Sequence, residues 1–505
     1  VFSGGLLNVV NGGTIASYTS IYYDFAVDDL AHISVTDSRI EKATSITSTS
    51  LNMTLRNVHF EDTRLSLIDN YSENGEFDPI QNTMGANWVF DDLRFVNSTM
   101  TPVLNLNSVS STLENWTATF SDVNISVLSS ANYAHTIEVG TNWYSNLIFD
   151  GLAVTDDTRY SSYYHLPANK WLVYHTTPYS NMEIKNSLFY DSPEHTAIYS
   201  NSDLVLNNVT IRNVFHPDDS DDWYSYGRNG CCSSTDTYTR IVEGHGVITA
   251  DELTIENSGV MTHHKTGYKM EFCQTSNASG NYNSCYLGGA DFYCHAIYTS
   301  GSLILSNSNI SGNCLAQFEY HGYRILSGSY DKCHSQGDDL DYYYFDGDWY
   351  NTGGSSWRSD GECRRYEAYA VNSENVHISN STIESNAKIT VWFSGPSYNV
   401  YQHGTIHTGG VMVYGNSSID NSTISNNADS SIGGVHQSGS DRRTVSSYQV
   451  LSITDSDDVF WINNSFLNTT MTPDATPHYT TTSSNWGAFQ HWYSFGISEG
   501  TAFIT

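Results

Sequence analysis

The sequence predicts an all-β fold in which short strands stack as a solenoid. Three observations support this prediction: apolar and polar side chains alternate, asparagine corners interrupt the alternation, and the same phrase recurs along the chain. Alternation is typical of a strand with one buried face, and asparagine enters the left-handed backbone region at small cost. A strand–corner–strand unit cannot bury its apolar face alone, but it can when it stacks on its neighbours.

The clearest copy of the phrase occupies residues 204–213, where an Asn207-Asn208 corner separates two alternating halves. Further copies lie at 55–60, 89–95, 147–152, 184–189, 303–310, 376–383 and 419–424, and weaker ones at 33–40, 113–120, 253–257 and 460–467. Stacked strands lie about 4.8 Å apart, so we expect the corner amides to bond each other in a ladder. The alternative is a β-sandwich of alternating strands, which the asparagine corners do not favour.

These phrases resemble the right-handed parallel β-helix of pectate lyases, pectinases, phage tailspikes and many surface proteins. The resemblance covers most of the chain. It implies a single solenoid over residues 1–505 rather than several domains. It implies little about activity, because unrelated functions share this fold.

Long insertions are expected between the repeats at about 215–245, 261–299 and 315–372, since these segments exceed ordinary loops. Every cysteine lies in this middle part, at Cys231, Cys232, Cys273, Cys285, Cys294, Cys314, Cys333 and Cys363. No C-x-x-C pair is present, so we interpret the cysteines as disulfides that staple the insertions rather than as zinc ligands. Their pairing cannot be deduced from the sequence.

The net charge of −33 limits the partners of this 505-residue chain. So acidic a surface repels nucleic acid and anionic lipid, and we expect neither as a partner. It also repels polyuronates unless a divalent cation bridges them, and it favours Ca²⁺ in solution near the protein. We predict no cofactor, with Ca²⁺ as the alternative. No apolar run approaches the length of a transmembrane helix. The chain begins at Val1 without a signal segment, which indicates a processed chain or a piece of a longer one.

Asn-x-Ser/Thr sequons are dense, which predicts N-linked glycans and an extracellular or cell-surface location. We expect loop sites such as Asn70, Asn277 and Asn468 to be used in preference to corner sites such as Asn208 and Asn380, because a ladder asparagine that faces inward cannot carry a glycan. Chance matches are also expected, since Asn, Ser and Thr are abundant. The sequons are at Asn52, Asn70, Asn97, Asn115, Asn124, Asn208, Asn277, Asn309, Asn380, Asn416, Asn421, Asn463 and Asn468.

Two short motifs, Gly244-His245-Gly246 and Gln336-Gly337-Asp338-Asp339, resemble part of the active site of the pectinase hydrolases. In that family paired carboxylates act as acid and base across a glycosidic bond. Here the Asp pair follows the histidine motif instead of preceding it, and the downstream Arg-x-Lys element is missing. We therefore interpret the motifs as a turn and a solvated acidic loop, and we predict no catalytic residue.

No metal site is predicted either. One acidic cluster comprises Asp218, Asp219, Asp221 and Asp222, and another comprises Asp338, Asp339, Asp341, Asp346 and Asp348. Neither has EF-hand spacing, so we interpret both as solvated loops, with weak Ca²⁺ binding as the alternative. The candidate bases Arg364 and Arg365 have no partner that the sequence identifies. The remaining groupings are His263-His264 and the pair His403 and His407. Residues four apart on a strand are separated by about 13 Å, too far to share one ion.

Aromatic residues concentrate in one insertion, at Tyr342, Tyr343, Tyr344, Phe345, Trp349, Tyr350 and Trp357. Rings with a polar group suit sugar stacking or protein interfaces, and a local core that holds the insertion in place is an equally good interpretation.

The favoured function is a structural extracellular glycoprotein, a β-helical subunit of a filament, appendage or cell-surface coat. Neither end shows a polar cap, and an open end invites stacking by another chain, although truncation of the sequence explains the missing caps equally well. The expected partners are further copies or other filament and coat proteins. The alternatives are a polysaccharide lyase or glycoside hydrolase of the β-helix type, and a carbohydrate-binding adhesin.

Overall fold

The structure is a computed structural model. It describes residues 6–16, 23–27, 32–48, 52–67, 87–99, 101–109, 117–128, 135–158, 170–215, 237–266, 285–287, 292–321, 338–340, 342–345, 348–351, 362–394, 402–434, 441–453, 458–468, 486–497 and 501–504.

Within these residues the chain forms 39 strands and no helix. The first part contains β1 Leu6–Val9, β2 Thr14–Ala16, β3 Tyr23–Val27, β4 His32–Glu41, β5 Ala43–Ser48, β6 Asn52–Glu61, β7 Leu65–Leu67, β8 Asn87–Ser98, β9 Leu104–Val109, β10 Thr117–Val127, β11 Ile137–Trp143, β12 Asn146–Asp150 and β13 Ala153–Asp156. The middle contains β14 Lys170–His175, β15 Met182–Ser192, β16 His195–Ser200, β17 Leu204–Val214, β18 Thr237–Gly244, β19 Ile248–Glu256, β20 Met261–Thr266, β21 Cys285–Leu287, β22 Phe292–Ser306, β23 Asn309–Ser311, β24 Ala316–His321, β25 Asp338–Leu340, β26 Tyr342–Phe345, β27 Asp348–Asn351 and β28 Glu362–Ser379. The last part contains β29 Thr382–Glu384, β30 Ile389–Ser394, β31 Gln402–Val413, β32 Ser417–Asp420, β33 Thr423–Ser425, β34 Ser431–Gly434, β35 Asp441–Ser452, β36 Val459–Asn463, β37 Phe466–Asn468, β38 Trp486–Ile497 and β39 Thr501–Ile504.

One large sheet takes up 31 of the strands in the described part of the chain. Its strands pair in parallel with strands one repeat away: β6 pairs with β8, β15 with β17, and β17 with β19. A second sheet, of β20, β24, β30 and β34, is also parallel. The pairs β21–β25 and β26–β27 are antiparallel. The prediction of an all-β chain dominated by parallel strand pairing is confirmed.

The insertions expected at 215–245, 261–299 and 315–372 fall largely outside the described residues. Strands β18, β22 and β28 begin within those ranges and pair with each other in the large sheet. Cys294 and Cys314 form a disulfide between two fully buried positions. The side chains of Cys285 and Cys363 lie outside the description, as do Cys231, Cys232, Cys273 and Cys333, so stapling of the insertions stays a prediction.

The predicted corners adopt the left-handed backbone conformation. The φ angles of Asn57, Asn186 and Asn208 are 50°, 51° and 53°, and those of Asn380 and Asn421 are both 48°. Their amides bond from one repeat to the next, as expected: Asn208 Nδ2 donates to Asn186 Oδ1 at 3.0 Å, and Asn186 Nδ2 donates to Asp150 Oδ1 at 2.8 Å.

The direction in which this ladder faces corrects one expectation. The side chains of Asn208 and Asn380 are exposed, so the expectation that these corner asparagines face inward was wrong, and the preferred use of loop sequons stays a prediction. The physical reason is that the left-handed corner turns its own side chain outward and the next one inward. Exposed sequon asparagines also include Asn97, Asn124, Asn309, Asn416, Asn421 and Asn463. The side chains of Asn52 and Asn468, and the residues Asn70, Asn115 and Asn277, lie outside the description.

The residue after the corner forms an inner serine ladder. Ser308 Oγ accepts from Leu253 N–H at 3.0 Å, Ser381 Oγ accepts from Ser308 N–H, and Ser422 Oγ accepts from Ser381 N–H, both at 3.1 Å. Each serine therefore satisfies a backbone donor that the corner would otherwise leave unpaired inside the protein.

A second, fully buried ladder runs along the next corner and consists of Asn313, Asn386, Asn427 and Gln449. Asn386 Oδ1 accepts from the backbone and the amide of Asn313, both at 3.0 Å. Asn427 Oδ1 does the same for Asn386, at 3.0 and 2.9 Å. Buried amides of this kind are tolerated because their polar atoms are paired.

The core between the corners consists of apolar columns, one side chain per repeat. Phe90 stacks on Phe120 with ring centroids 4.6 Å apart, and Phe120 stacks on Phe149 at 5.3 Å. In the neighbouring column Phe60 stacks on Phe95 at 4.5 Å. All these rings are almost completely buried.

Replacing Asn208 separates the two roles of a corner residue. We expect Asn208→Ala to lower the free energy of unfolding by about 1–2 kcal/mol, because a Cβ-bearing residue without a local hydrogen bond is strained at positive φ. Asn208→Gly loses the same bond to Asn186 but none of the backbone freedom, so it should cost less. Urea denaturation of both variants measures the difference. Equal losses would mean that the amide bond alone stabilises the corner.

Candidate functional site

A column of side chains with polar or aromatic character follows one outer face of the large sheet. Its members, here called the lateral strip, are paired in register from strand to strand: Glu138, Tyr174, Tyr199, Glu243, Tyr298 and Asn372. Their strand neighbours Val173, Ile198, Val242, Ile297 and Val371 are fully buried, so the strip is on the opposite, outer side of the strands. At about 4.8 Å per step the six residues span about 24 Å.

Aromatic rings cover the first half of the strip. Tyr174 stacks on His135 with centroids 3.8 Å apart and lies 4.9 Å from Tyr199. The rings of Tyr199 and His245 then form a T-shaped pair with centroids 5.4 Å apart. Burial raises the pKa of both tyrosine hydroxyls, and nearby glutamates raise it further, Glu138 for Tyr174 and Glu243 for Tyr199. Both hydroxyls therefore remain protonated donors in neutral solution.

The strip leads into a cavity of about 200 Å³ between β18, β22 and β28. It is lined by Thr239, Arg240, Tyr293, His295, Tyr298, Glu367 and Asn372. The parallel register explains why these residues meet: Arg240 pairs with His295, Tyr293 with Glu367, and Tyr298 with Asn372. Residues far apart in sequence thus line a single site.

Arg240 is held on one side of the cavity. Its guanidinium lies 3.7 Å from the centroid of the Tyr298 ring and forms an ion pair with Glu243. Glu243 is also 3.4 Å from Nε2 of His245. The positive charge of Arg240 is therefore balanced before any ligand enters.

His295 lies on the other side and is almost fully buried. Its Nε2 is 3.8 Å from Glu367 Oε1 and 3.4 Å from Asn372 Nδ2, and its ring stacks on Tyr298 with centroids 5.7 Å apart. Burial lowers the pKa of His295 below its ordinary value of 6.5, and the contact with Glu367 opposes that change only in part. The ring is thus neutral at physiological pH.

Two of the residues that line the cavity have a buried polar atom without a hydrogen-bond partner in the protein: Nδ1 of His295 and Oγ1 of Thr239. Burying a polar atom without a partner costs about 1–3 kcal/mol. Such atoms are uncommon in folded proteins. Thr239 is in register with the core residue Cys294, whereas His295 is in register with Arg240, so only the His295 side chain is on the same strand face as Arg240.

Two other buried histidines are part of the interior instead. His175 contacts the hydroxyls of Ser200 and Ser180 at 3.0 and 3.2 Å, and burial lowers its pKa to about 4. His195 lies 3.6 Å from Asp156, which accepts from Thr136 Oγ1 at 2.7 Å. These contacts are between buried side chains, and none of these residues lines the cavity.

The two halves of the pectinase-like motif lie in different sheets. Gly244 ends strand β18 of the large sheet, with His245 next to the lateral strip. Asp338 and Asp339 belong to β25, which pairs with β21 in a separate antiparallel sheet.

Other residues singled out in the sequence lie apart from the cavity or outside the description. Among the described residues no group of three or more His, Cys, Asp or Glu side chains could hold a metal ion. His403 and His407 lie four apart on strand β31, which is the arrangement that prevents a shared ion. His263 and His264 belong to β20, and Arg364 and Arg365 to β28. Asp348 and the aromatic residues Tyr342, Tyr343, Tyr344, Phe345, Trp349 and Tyr350 form the β26–β27 pair. Asp218, Asp219, Asp221, Asp222, Asp341, Asp346 and Trp357 are not described.

No protein-family model, curated protein or solved structure matches this chain. Among the described residues there is also no helix with the length and hydropathy needed to span a membrane. The class that fold and site together define is an all-β protein with a long, mostly parallel sheet and a lateral cavity lined by polar and aromatic groups.

Proposed function

We propose that this chain is an extracellular right-handed parallel β-helix that binds carbohydrate along the lateral strip. The observation that carries the proposal is the run of half-buried tyrosines that leads into the cavity, with Glu243 and Arg240 beside them. Aromatic faces bind the apolar faces of sugar rings, and their hydroxyls and the neighbouring charged groups supply hydrogen bonds. A strip about 24 Å long suits an extended glycan better than an isolated small molecule.

The expected sequons agree with this proposal, because glycans and glycan recognition both belong to the cell exterior. The exposed positions of Asn208, Asn380 and Asn421 are compatible with their modification. An adhesin or a coat protein would carry such a strip toward the surface of another cell or toward a surrounding matrix.

Removing one ring from the strip tests the proposal. We expect Tyr199→Ala to weaken glycan binding about twofold to tenfold, which corresponds to an aromatic contact of about 0.5–1.5 kcal/mol. Tyr179→Ala is the matched control, because Tyr179 is 59% exposed and also stacks on a tyrosine, Tyr144, at 4.8 Å. The ligand would first be selected on a glycan array and its affinity then measured by titration calorimetry. Failure to bind any glycan, or equal losses in both variants, would contradict the proposal.

A structural role in a filament or coat is the second candidate. It is favoured by the parallel pairing that links β1 to β4 near one end of the described chain and β36 to β39 near the other, since a continuous sheet makes a stiff rod. Electron microscopy of native material distinguishes the two roles: an end-to-end assembly supports the filament, and separate particles contradict it.

A further inference from the structure

The exposed sequons of the described chain are concentrated at one corner of the repeat. This corner is the one at which Asn186 and Asn208 adopt the left-handed conformation, and strand register continues it along the chain. In the later repeats it passes from Asn307 to Asn380 and on to Asn421. These left-handed residues, one per repeat, are here called the corner column. Neighbouring members lie about 4.8 Å apart, so the column forms one edge of the stacked strands.

Most of the exposed sequon asparagines lie on this column or beside it. Six of the eight are within two residues of it along the chain: Asn124, Asn208, Asn309, Asn380, Asn421 and Asn463. The other two, Asn97 and Asn416, lie five residues from Asp92 and Asn421 of the column. The sequons of the described residues therefore share one side of the repeat, although they are spread over most of the chain.

The geometry of the corner column is compatible with attached glycans. A glycan is bulky and hydrophilic, so the folded chain tolerates it only on an asparagine that reaches solvent, as all six do. Attachment uses one of the two N–H groups of the side-chain amide, and the bond from Asn208 to Asn186 Oδ1 needs only the other. Asn421 takes part in the ladder through its oxygen, which accepts from Asn464 Nδ2 at 2.6 Å. Glycosylation therefore leaves these ladder bonds in place.

The lateral strip follows a different series of strands. Strands β14, β16 and β18 pair with one another, and the corner-bearing strands β15, β17 and β19 pair with one another. The strip runs along β11, β14, β16, β18, β22 and β28, and none of these six strands contains a sequon asparagine. Asn372 is the one asparagine of the strip, and the following Ser373-Glu374 does not complete a sequon. Glycans are thus anchored beside the strip and not on it.

We propose that N-linked glycans line the edge formed by the corner column and leave the lateral strip uncovered, so that the strip is the face that meets a partner. This inference rests on the extracellular location in the proposed function, and it adds the modified side of the molecule and the orientation in which it binds. Because Asn380 and Asn421 are on adjacent strands, about 4.8 Å apart, the glycans there form a dense row.

Mass spectrometry of the protein purified from its source tests the modified edge. Glycans are released by a peptide N-glycosidase in heavy-oxygen water, which converts each glycosylated asparagine into a labelled aspartate. We expect label at Asn208, Asn380 and Asn421. Asn57 and Asn186 are the matched controls, because they have the same left-handed conformation and are exposed but are not sequon residues. Label at none of the six sequons, or equal label at the two controls, would overturn the assignment.

Two added sequons test the uncovered strip. Leu188 occupies in β15 the position that Thr210, the sequon threonine of Asn208, occupies in β17, so Leu188→Thr makes Asn186 a sequon asparagine on the edge. Tyr174→Asn creates a sequon on the strip, because His175-Thr176 follows. Both variants are produced in secreting eukaryotic cells, and their affinities for the glycan selected on the array are measured by titration calorimetry.

We expect both variants to gain one glycan, with different effects on binding. Leu188→Thr should change the affinity by less than about twofold, whereas Tyr174→Asn should lower it about tenfold or more beyond Tyr174→Gln, which removes the same ring without adding a sequon. Equal losses in Leu188→Thr and Tyr174→Asn, or no added glycan on Leu188→Thr, would overturn the inference. If the six sequons were unmodified while Tyr199→Ala still weakened binding, the proposed function would stand without the glycosylated edge. Labelled sequons in a protein that binds no glycan would overturn the proposed function and leave the edge.

Discussion

We expect Phe120→Ala to lower the free energy of unfolding by about 3–5 kcal/mol, the range for a large aromatic side chain removed from a core. Phe120 is fully buried and lies between Phe90 and Phe149, with centroids 4.6 and 5.3 Å away. Its removal leaves a cavity and breaks two stacked contacts at once. The strands on both sides pair through the same register, so they have little freedom to close the gap.

Chemical denaturation measures the loss, and hydrogen exchange locates it. Because repeat proteins are stabilised by contacts between neighbouring repeats, we expect amides in β8, β10 and β12 to exchange faster, with little change in β31 or β35. Phe466→Ala is the control: its side chain is 57% exposed, and surface substitutions usually change stability by about 0.5 kcal/mol or less. Similar losses in the two variants would contradict the assignment of Phe120 to the core.

We expect Asn386→Leu to cost about 2–6 kcal/mol, although leucine has a similar size and is apolar. The side chain of Asn386 is fully buried and takes part in four hydrogen bonds, two through Oδ1 to Asn313 and two through Nδ2 to Ile310 and Asn427. Leucine makes none of them. Asn313 N–H and the Ile310 carbonyl both lose a partner, and each buried group left unsatisfied costs about 1–3 kcal/mol.

Asn416→Leu provides the comparison for the ladder. Asn416 also makes two side-chain hydrogen bonds, to Asp458 at 3.1 Å and from Val459 N–H at 2.8 Å, but its side chain is exposed. Water can replace those partners, so we expect a loss of about 1 kcal/mol or less. Urea denaturation of both variants gives the ratio of the two costs. If Asn386→Leu were as well tolerated as Asn416→Leu, the buried ladder would contribute nothing to the stability of the fold.

The prediction of corners succeeded because it rested on local chemistry. Positive φ at Asn186, Asn208 and Asn380 follows from the small cost of that conformation for asparagine, which needs no knowledge of distant residues. The alternation on either side of each corner likewise predicts which face of a strand is buried. Both signals recur often enough to indicate parallel stacking of repeats.

The second ladder escaped prediction although its signal is present. Asn313, Asn386 and Asn427 each follow a buried isoleucine by three residues, at Ile310, Ile383 and Ile424. A polar residue three positions after the last buried residue of a strand usually belongs to a loop. Burial of such an asparagine is tolerated when side-chain amides of the neighbouring repeats satisfy its polar atoms.

The cavity could not be predicted at all. Gly244-His245-Gly246 resembles a hydrolase motif, whereas Arg240 and Glu243, four residues and one residue before Gly244, belong to no recognisable motif. His295 and Glu367 lie 55 and 127 residues beyond Arg240 by their numbers in the sequence, and the intervening segments differ in length from repeat to repeat. Only the register of β18, β22 and β28 brings them together.

Residue type and short-range spacing are enough to predict the all-β class, the positions of the left-handed corners and the acidic character of the protein. Three features become visible only in the folded chain: the corner amides face outward, a second amide ladder is buried, and Arg240, His295 and Glu367 line one cavity. The physical reason is that parallel stacking aligns residues across loops of unequal length, so which side chains become neighbours depends on strand register and not on distance along the chain.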